Sequence, residues 1–217
     1  MSPGFELPLE RPSKIICVGR NYVSHAREMG NPLPKEPLLF LKPPSSLVAP
    51  GAPIVLPRVS HQVEHEGEIA VLVGRRLRLA SEDEAREAIT HVLALNDVTA
   101  RDLQRSDPQW TRAKGFDTFC PVGRPVSVET LSEWGMRFES LEVTTYVNGE
   151  LRQHGRASDM LFSIPFLLAY ASGVMTIEPG DILTTGSPDG VGTLNPGDVV
   201  RVQIPGVSTV ENPVEAE

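Results

Sequence analysis

A chain of 217 residues with 20 Lys and Arg against 28 Asp and Glu carries a net charge of −8 and a pI near 5.2. That charge opposes attraction to phosphate backbones and anionic lipid surfaces, so nucleic-acid and membrane partners are not expected. Hydrophobic residues at 40% and charged residues at 22% match ordinary globular usage, which excludes disordered and fibrous classes and suits one domain over 1–217, with 1–14 as a lead-in.

The opening MSPGFELPLERPSK lacks an apolar h-region, and no stretch reaches the roughly 18 apolar residues of a membrane span. Neither export nor insertion is expected. Cys17 and Cys120 form no C-x-x-C or zinc-knuckle spacing, so a disulfide framework has no support and a reducing cytoplasm is the expected location. The 20 prolines and 18 glycines are scattered between short apolar runs, the punctuation of many short strands. The predicted class is mainly β with a few helices (α+β).

In chain order, CVGRNYVSHAREM places His25 and Glu28 three residues apart, on one face if the segment is helical. A carboxylate beside an imidazole holds its tautomer and raises its basicity, the pairing needed to deprotonate water near neutral pH, although exposed H-x-x-E pairs also occur by chance. In His65-Glu66-Gly67-Glu68-Ile69-Ala70-Val71-Leu72-Val73, two glutamates at i and i+2 share one face of a strand. The apolar run behind them sends that strand into the core, where neighbouring carboxylates are costly unless a cation neutralises them. A solvated strand face is the bland alternative.

Ser81 and Glu84 form a capping box before Ala85, Ala88, Ile89 and Val92, predicting a helix from about Glu82 to about His91. Asp97 then closes an apolar stretch and supplies a third carboxylate. Three carboxylates suit a hard, oxygen-loving ion, Mg²⁺ or Mn²⁺. His61 and His65 argue weakly for zinc, because a third nitrogen or sulfur ligand at metal spacing is missing. Lys114 is one of four lysines and lies among Trp110, Phe116 and Phe119 in a stretch that reads as a loop. It suits either a substrate carboxylate or oxyanion, or a snorkelling role at the surface.

Asn148-Gly149 between Thr144-Thr145-Tyr146-Val147 and Glu150-Leu151-Arg152 predicts a type I′ hairpin. A second helix is predicted from near Ser163-Ile164-Pro165 to Ser172, with Gly173 as the C′ residue. Pro179-Gly180-Asp181 and Pro196-Gly197-Asp198 are turns leading into strands. The loop Thr185-Gly186-Ser187-Pro188-Asp189-Gly190 is glycine-rich enough to approach a ligand closely. G-x-S-x-G, Walker A and G-x-G-x-x-G signatures are absent from the chain, which removes support for serine-hydrolase and nucleotide-binding readings.

Taken together, CVGRNYVSHAREM, LLFLKPPSSL, HEGEIAVLVG, NDVTARDLQ, TRAKGFDTFCPVG, YVNGELRQ and ILTTGSPDGVG resemble the fumarylacetoacetate hydrolase family, especially its short acylpyruvase and oxaloacetate decarboxylase members. The resemblance runs from about Ile15 to about Val210. It implies a mixed β-sandwich roll, a homodimer, and Mg²⁺ or Mn²⁺ held by Glu66, Glu68 and Asp97. It also implies a His25–Glu28 dyad on a lid at about 20–35, and substrate contacts from Lys114, Arg101, Gln104, Lys42 and Ser187, the last standing where relatives commonly carry threonine. The expected activity is metal-dependent C–C hydrolysis of acylpyruvate-type 2-oxo or 1,3-dicarbonyl acids. Oxaloacetate decarboxylation or keto–enol tautomerisation on the same site is the alternative, and a non-catalytic metal- or metabolite-binding domain is the second.

Overall fold

The computed structural model describes residues 7, 11–28 and 33–217, excepting the side chains of residues 25–27. The chain begins with β1 (Ile15–Gly19), α1 (Val23–Glu28), β2 (Leu38–Lys42), β3 (Leu47–Val48), β4 (Ile54–Leu56), β5 (Val63–His65) and β6 (Gly67–Val73). It continues through α2 (Glu82–Ala88), β7 (Ile89–Asn96), β8 (Thr99–Ala100), α3 (Arg101–Ser106), α4 (Thr111–Lys114), β9 (Cys120–Pro121), β10 (Val126–Ser127) and α5 (Val128–Glu133). The last third holds β11 (Glu142–Val147), β12 (Glu150–Arg156), α6 (Ile164–Val174), β13 (Ile182–Thr184), β14 (Gly192–Thr193), β15 (Val199–Ile204) and β16 (Ser208–Ala216).

A six-stranded sheet in the order β10-β7-β6-β13-β1-β2 packs against a five-stranded sheet in the order β12-β11-β15-β16-β4. The first sheet is mixed: β13 runs parallel to β1 but antiparallel to β6. Strand β6 is buried along its whole length. Alternation explains why its sequence is apolar from Ile69 onward: Ile69, Val71 and Val73 join the main core, while Ala70 and Leu72 face a second cluster with Leu93, Leu95 and Cys120. A strand covered on both faces needs apolar residues at both parities.

Local chemistry sets several boundaries. Asn148 and Gly149 take φ of 53° and 82° at the β11–β12 turn, the two positive angles that a type I′ hairpin requires. The Ser81–Glu84 capping box forms, but α2 stops at Ala88 instead of about His91, because Ile89 opens β7 and its backbone pairs with Val73. Helix α6 ends later than predicted. Gly173 lies inside it, and Met175, with φ −142°, closes it in extended conformation. The stretch read as a loop around Lys114 is the short helix α4.

Gly67 sits where β6 of one sheet packs against β11 and β15 of the other. A Cβ there would lie 2.0 Å from Thr145 Oγ1 and 3.1 Å from Val202 Cγ1. Gly67→Ala should therefore lower stability by about 1–3 kcal/mol, the usual cost of overpacking. Because Thr145 Oγ1 is buried without a hydrogen-bond partner, adding Thr145→Ala should recover part of that loss. Equal melting temperatures for Gly67→Ala and the parent would refute the packing argument.

Candidate metal centre and substrate cavity

Glu66 lies in the one-residue gap between β5 and β6, Glu68 is the second residue of β6, and Asp97 follows the last residue of β7. Antiparallel pairing of β6 with β7 sets Gly67 opposite Asn96, and the Asp97 amide donates to the Glu66 carbonyl at 2.8 Å. Carboxylate oxygens of Glu66, Glu68 and Asp97 lie within 4.8 Å of one another, all three side chains being buried.

Cations are interleaved with these acids. Lys114 Nζ donates to Glu66 Oε2 at 2.8 Å and to Asp97 Oδ2 at 2.5 Å. Lys42 Nζ donates to Asp97 Oδ1 at 2.6 Å and to the Val98 carbonyl at 3.1 Å. Arg101, at the start of α3, spreads its guanidinium over Glu64 Oε2 at 2.7 Å, Glu66 Oε1 at 2.5 Å and Gln104 Oε1 at 2.6 Å. Burial works against the Lys114 charge, but Asp97 and Glu66 outweigh it and hold its pKa above the ordinary lysine value. Lys114 is thus a permanent ammonium.

Glu68 has the opposite balance. Burial, then the charges of Asp97 and Glu66, push its carboxyl well above the usual range, and Lys114 offsets this only in part. Its Oε2 accepts the Gly186 amide at 2.8 Å. Gly186 has φ +90°, and a Cβ there would meet Asn21 Cβ at 3.0 Å and the Val18 carbonyl at 3.2 Å, so the loop after β13 reaches Glu68 only with glycine in place. An all-carboxylate set with one carboxyl held above its normal pKa by its neighbours fits a hard divalent ion, whose charge offsets that repulsion.

Glu66 and Lys114 face a cavity of about 220 Å³, with Glu68 and Asp97 outside its described lining. Its described lining includes Glu66, Arg101, Gln104, Lys114 and Ser187 from the predicted set, together with Arg20. Phe40 and Trp110 form its apolar wall, with ring centroids 5.2 Å apart in an edge-on arrangement, and Lys114 Nζ lies 5.0 Å from the Phe40 centroid. Lys42 is absent from this lining. It is buried behind Asp97, where it secures a carboxylate instead of facing the cavity.

Glu28 ends α1, and its Oε1 accepts the Gly190 amide at 3.0 Å. His25 belongs to the same helix, but its side chain lies outside the described residues, as do residues 29–32 of the predicted lid. His65 joins no metal cluster among the described residues. Burial lowers its pKa against the opposing hydrogen bond to Gln153, and its Nδ1 lies 2.9 Å from Gln153 Oε1.

Gln153 was not singled out from sequence. Its Oε1 also accepts the Gly67 amide at 3.0 Å, while its Nε2 donates to Ser187 Oγ at 2.7 Å and to the Pro188 carbonyl at 2.8 Å. It thereby ties the cavity loop to the strand that bears Glu68. The available signal was a polar residue at an inward-facing parity of β12, where its neighbours Arg152 and His154 are exposed. Glu64, Arg20 and Asn21 were likewise passed over.

A family model described as "Fumarylacetoacetate (FAA) hydrolase C-terminal" matches residues 14–215. The chain belongs to this family. An uncharacterized protein of Pyrococcus abyssi is 47% identical over 212 residues, covering 95% of this chain and 92% of the relative. The mitochondrial oxaloacetate tautomerase FAHD1 of Bos taurus is 41% identical over 205 residues, covering 93% and 91%. Among solved structures, a 5-carboxymethyl-2-hydroxymuconate delta-isomerase from Mycobacterium smegmatis superposes with a TM-score of 0.86 at 42% identity, covering 95% of this chain and 80% of that one. The family's mixed-sheet fold is therefore the fold of this protein, and no helix among its described residues is long and apolar enough to cross a membrane.

The charge state of Glu68 gives a direct test. A carboxyl whose folded pKa is raised favours protonation in the folded state, so its ionisation removes stability as pH rises from the ordinary glutamate value through the raised one. In EDTA at pH 7.5, Glu68→Gln should melt at a higher temperature than the parent. The same variant should lose most of the thermal stabilisation that Mn²⁺ gives the parent, because one anionic ligand of three is gone. A variant destabilised in EDTA, or stabilised by Mn²⁺ as much as the parent, would overturn this account of the centre.

Proposed function

We propose that the protein is a divalent-metal-dependent enzyme that interconverts keto and enol forms of a 2-oxo dicarboxylic acid of the oxaloacetate type. The observation carrying this reading is that Lys114 both bridges Glu66 and Asp97 and lines the cavity. Carboxylates able to hold Mg²⁺ or Mn²⁺ and a permanent ammonium then address the same ligand. The relatives named as an oxaloacetate tautomerase and a delta-isomerase support it.

Tautomerisation moves one proton from C3 to the 2-oxo oxygen, with no net consumption of water. When bound by Glu66, Glu68 and Asp97, a divalent ion supplies Lewis acidity toward the carboxylate and 2-oxo oxygens of such an acid. Lys114 adds a fixed positive charge where the enolate oxygen develops, a preorganised electrostatic contribution. Arg101 holds Glu66 from behind and offers its remaining face to the cavity with Gln104. Ser187, fixed by Gln153, presents a hydroxyl from the opposite loop. His25 and Glu28 are the groups we assign to proton transfer at C3.

A second reading, C–C hydrolysis of acylpyruvates, uses the same enolate stabilisation and adds an attacking water. The feature favouring it is that Glu28 is docked through the Gly190 amide on the helix that carries His25. Decarboxylation needs the enolate stabilisation alone.

The decisive assay follows oxaloacetate enol decay and acetylpyruvate cleavage with Mg²⁺ or Mn²⁺ and with EDTA. We expect metal-dependent tautomerisation to be the faster reaction. Acetylpyruvate hydrolysis outpacing it would select the second reading, and turnover of neither substrate would return the chain to a non-catalytic metal-binding role. Lys114→Met should lower kcat by about 10²–10³, the usual loss for one oxyanion-stabilising donor, while keeping Mn²⁺ affinity. His25→Ala should cost about 10²–10⁴ in whichever reaction uses the dyad, again with metal affinity intact.

A further inference from the structure

Arg20 lines the cavity in an unusual backbone state. Its φ is 61°, in the left-handed region that non-glycine residues rarely adopt. The neighbouring Asn21 enforces that state. Its Nδ2 donates to the Phe162 carbonyl at 3.1 Å and the Thr185 carbonyl at 2.8 Å, its Oδ1 accepts the Phe162 amide at 2.9 Å, and its own carbonyl accepts the Leu161 amide at 2.8 Å. A strained residue persists where its surroundings over-determine it, and such sites concentrate around ligands. A position whose backbone suits glycine nevertheless carries a long cation.

That cation is uncommitted. Lys114, Lys42 and Arg101 are each saturated by buried acids. Arg105, at the cavity rim, is exposed and gives its Nη2 to Gln62 Oε1 at 2.5 Å. Half-buried Arg20 has neither an ion pair nor a side-chain hydrogen bond among the described residues. It stands just after β1, whereas the other described cations of the lining, Arg101, Arg105 and Lys114, come from α3 and α4.

Charge completes the argument. Glu64, Glu66, Glu68 and Asp97 exceed Lys42, Lys114 and Arg101 by one negative charge. A divalent ion reverses the excess to one positive charge, which a monoanionic 2-oxo acid would already neutralise. Arg20, with Arg105 at the rim, adds further positive charge that a second anionic group on the ligand would offset. We infer that Arg20 is a specificity-determining residue, its guanidinium binding the carboxylate remote from the 2-oxo acid end and selecting dianionic over monoanionic substrates. This rests on the reading of the cavity as a 2-oxo acid site.

The test compares oxaloacetate with its 4-methyl ester, which keeps the 2-oxo acid chelate but loses the remote charge. Affinities for the Mn²⁺-loaded protein are read by calorimetry, independently of turnover, with oxalate as a probe of the metal end alone. The parent should prefer the diacid by about 10–100-fold, the range of a charge-assisted hydrogen bond. Arg20→Met and Arg20→Gly should lose that preference and leave oxalate affinity unchanged. In turnover the loss should fall on KM for the diacid, with kcat altered less than about threefold. The glycine variant relaxes the backbone, so agreement between the two excludes misfolding as the cause. A parent that binds oxalate without preferring the diacid, or variants that retain the preference, would overturn the role of Arg20 and leave the cavity reading standing. A parent that binds neither oxalate nor oxaloacetate overturns the cavity reading itself, and the role of Arg20 with it.

Discussion

Placing like charges together away from water is among the most expensive arrangements a protein can adopt, and here four carboxylates share one buried volume with three cations. Three of the four acids are matched by cations: Asp97 by two ammonium groups, Glu66 by Lys114 and Arg101, and Glu64 by Arg101. Glu68 alone among them leans on a backbone amide from Gly186. Withdrawing one member of such a network typically costs about 3–5 kcal/mol, because the remaining charge stays buried and unpaired. The lysines and the arginine therefore maintain the acids in ionised, oriented form, and the shortfall at Glu68 marks where extra positive charge is most favourable.

The surrounding fold keeps these groups from drifting apart. Glu68 stands on a strand packed on both faces, Asp97 at the end of the neighbouring strand, and Lys114 on a helix whose approach is filled by Phe40 and Trp110. Gln153 spans the gap between the two large sheets with a fully satisfied amide, so the β11–β12 hairpin, remote in sequence, restrains the loop carrying Ser187. Rigid elements supply position, and loops at their ends supply chemistry.

Short-range chemistry was readable from the residues: the Asn-Gly hairpin, the Ser81 cap and the glutamates before the apolar run each declare themselves within a few positions. The shared face of Glu66 and Glu68 was readable from strand parity, whereas Asp97 joins them through the pairing of β6 with β7, which the family resemblance and not the local pattern implied. Helix ends were not. Ile89 belongs to a strand because Val73 is there to pair with it, and Gly173 stays helical because packing of Leu167, Leu168 and Ala171 carries the helix past it. The positions of Lys42 and Gln153 depend on contacts 55 and 88 residues away, which no local pattern encodes. Arg20 was hidden for another reason: its left-handed backbone is imposed by the hydrogen bonds that join its neighbour Asn21 to Leu161, Phe162 and Thr185.

The parallel pairing of β1 with β13 joins Ile15 to Ile182, and the Asp181 carboxylate takes hydrogen bonds from Ser13 and from the Lys14 amide. The central sheet therefore stays open until the last fifth of the chain arrives. During synthesis, β6 and β7 emerge with their acids long before Gly186 can support Glu68 or β13 can cover the β6 edge. A nascent chain of this kind exposes an apolar strand edge and a charged, half-formed centre until β13 is made. A truncation removing the last forty residues would abolish both the sheet and the centre together.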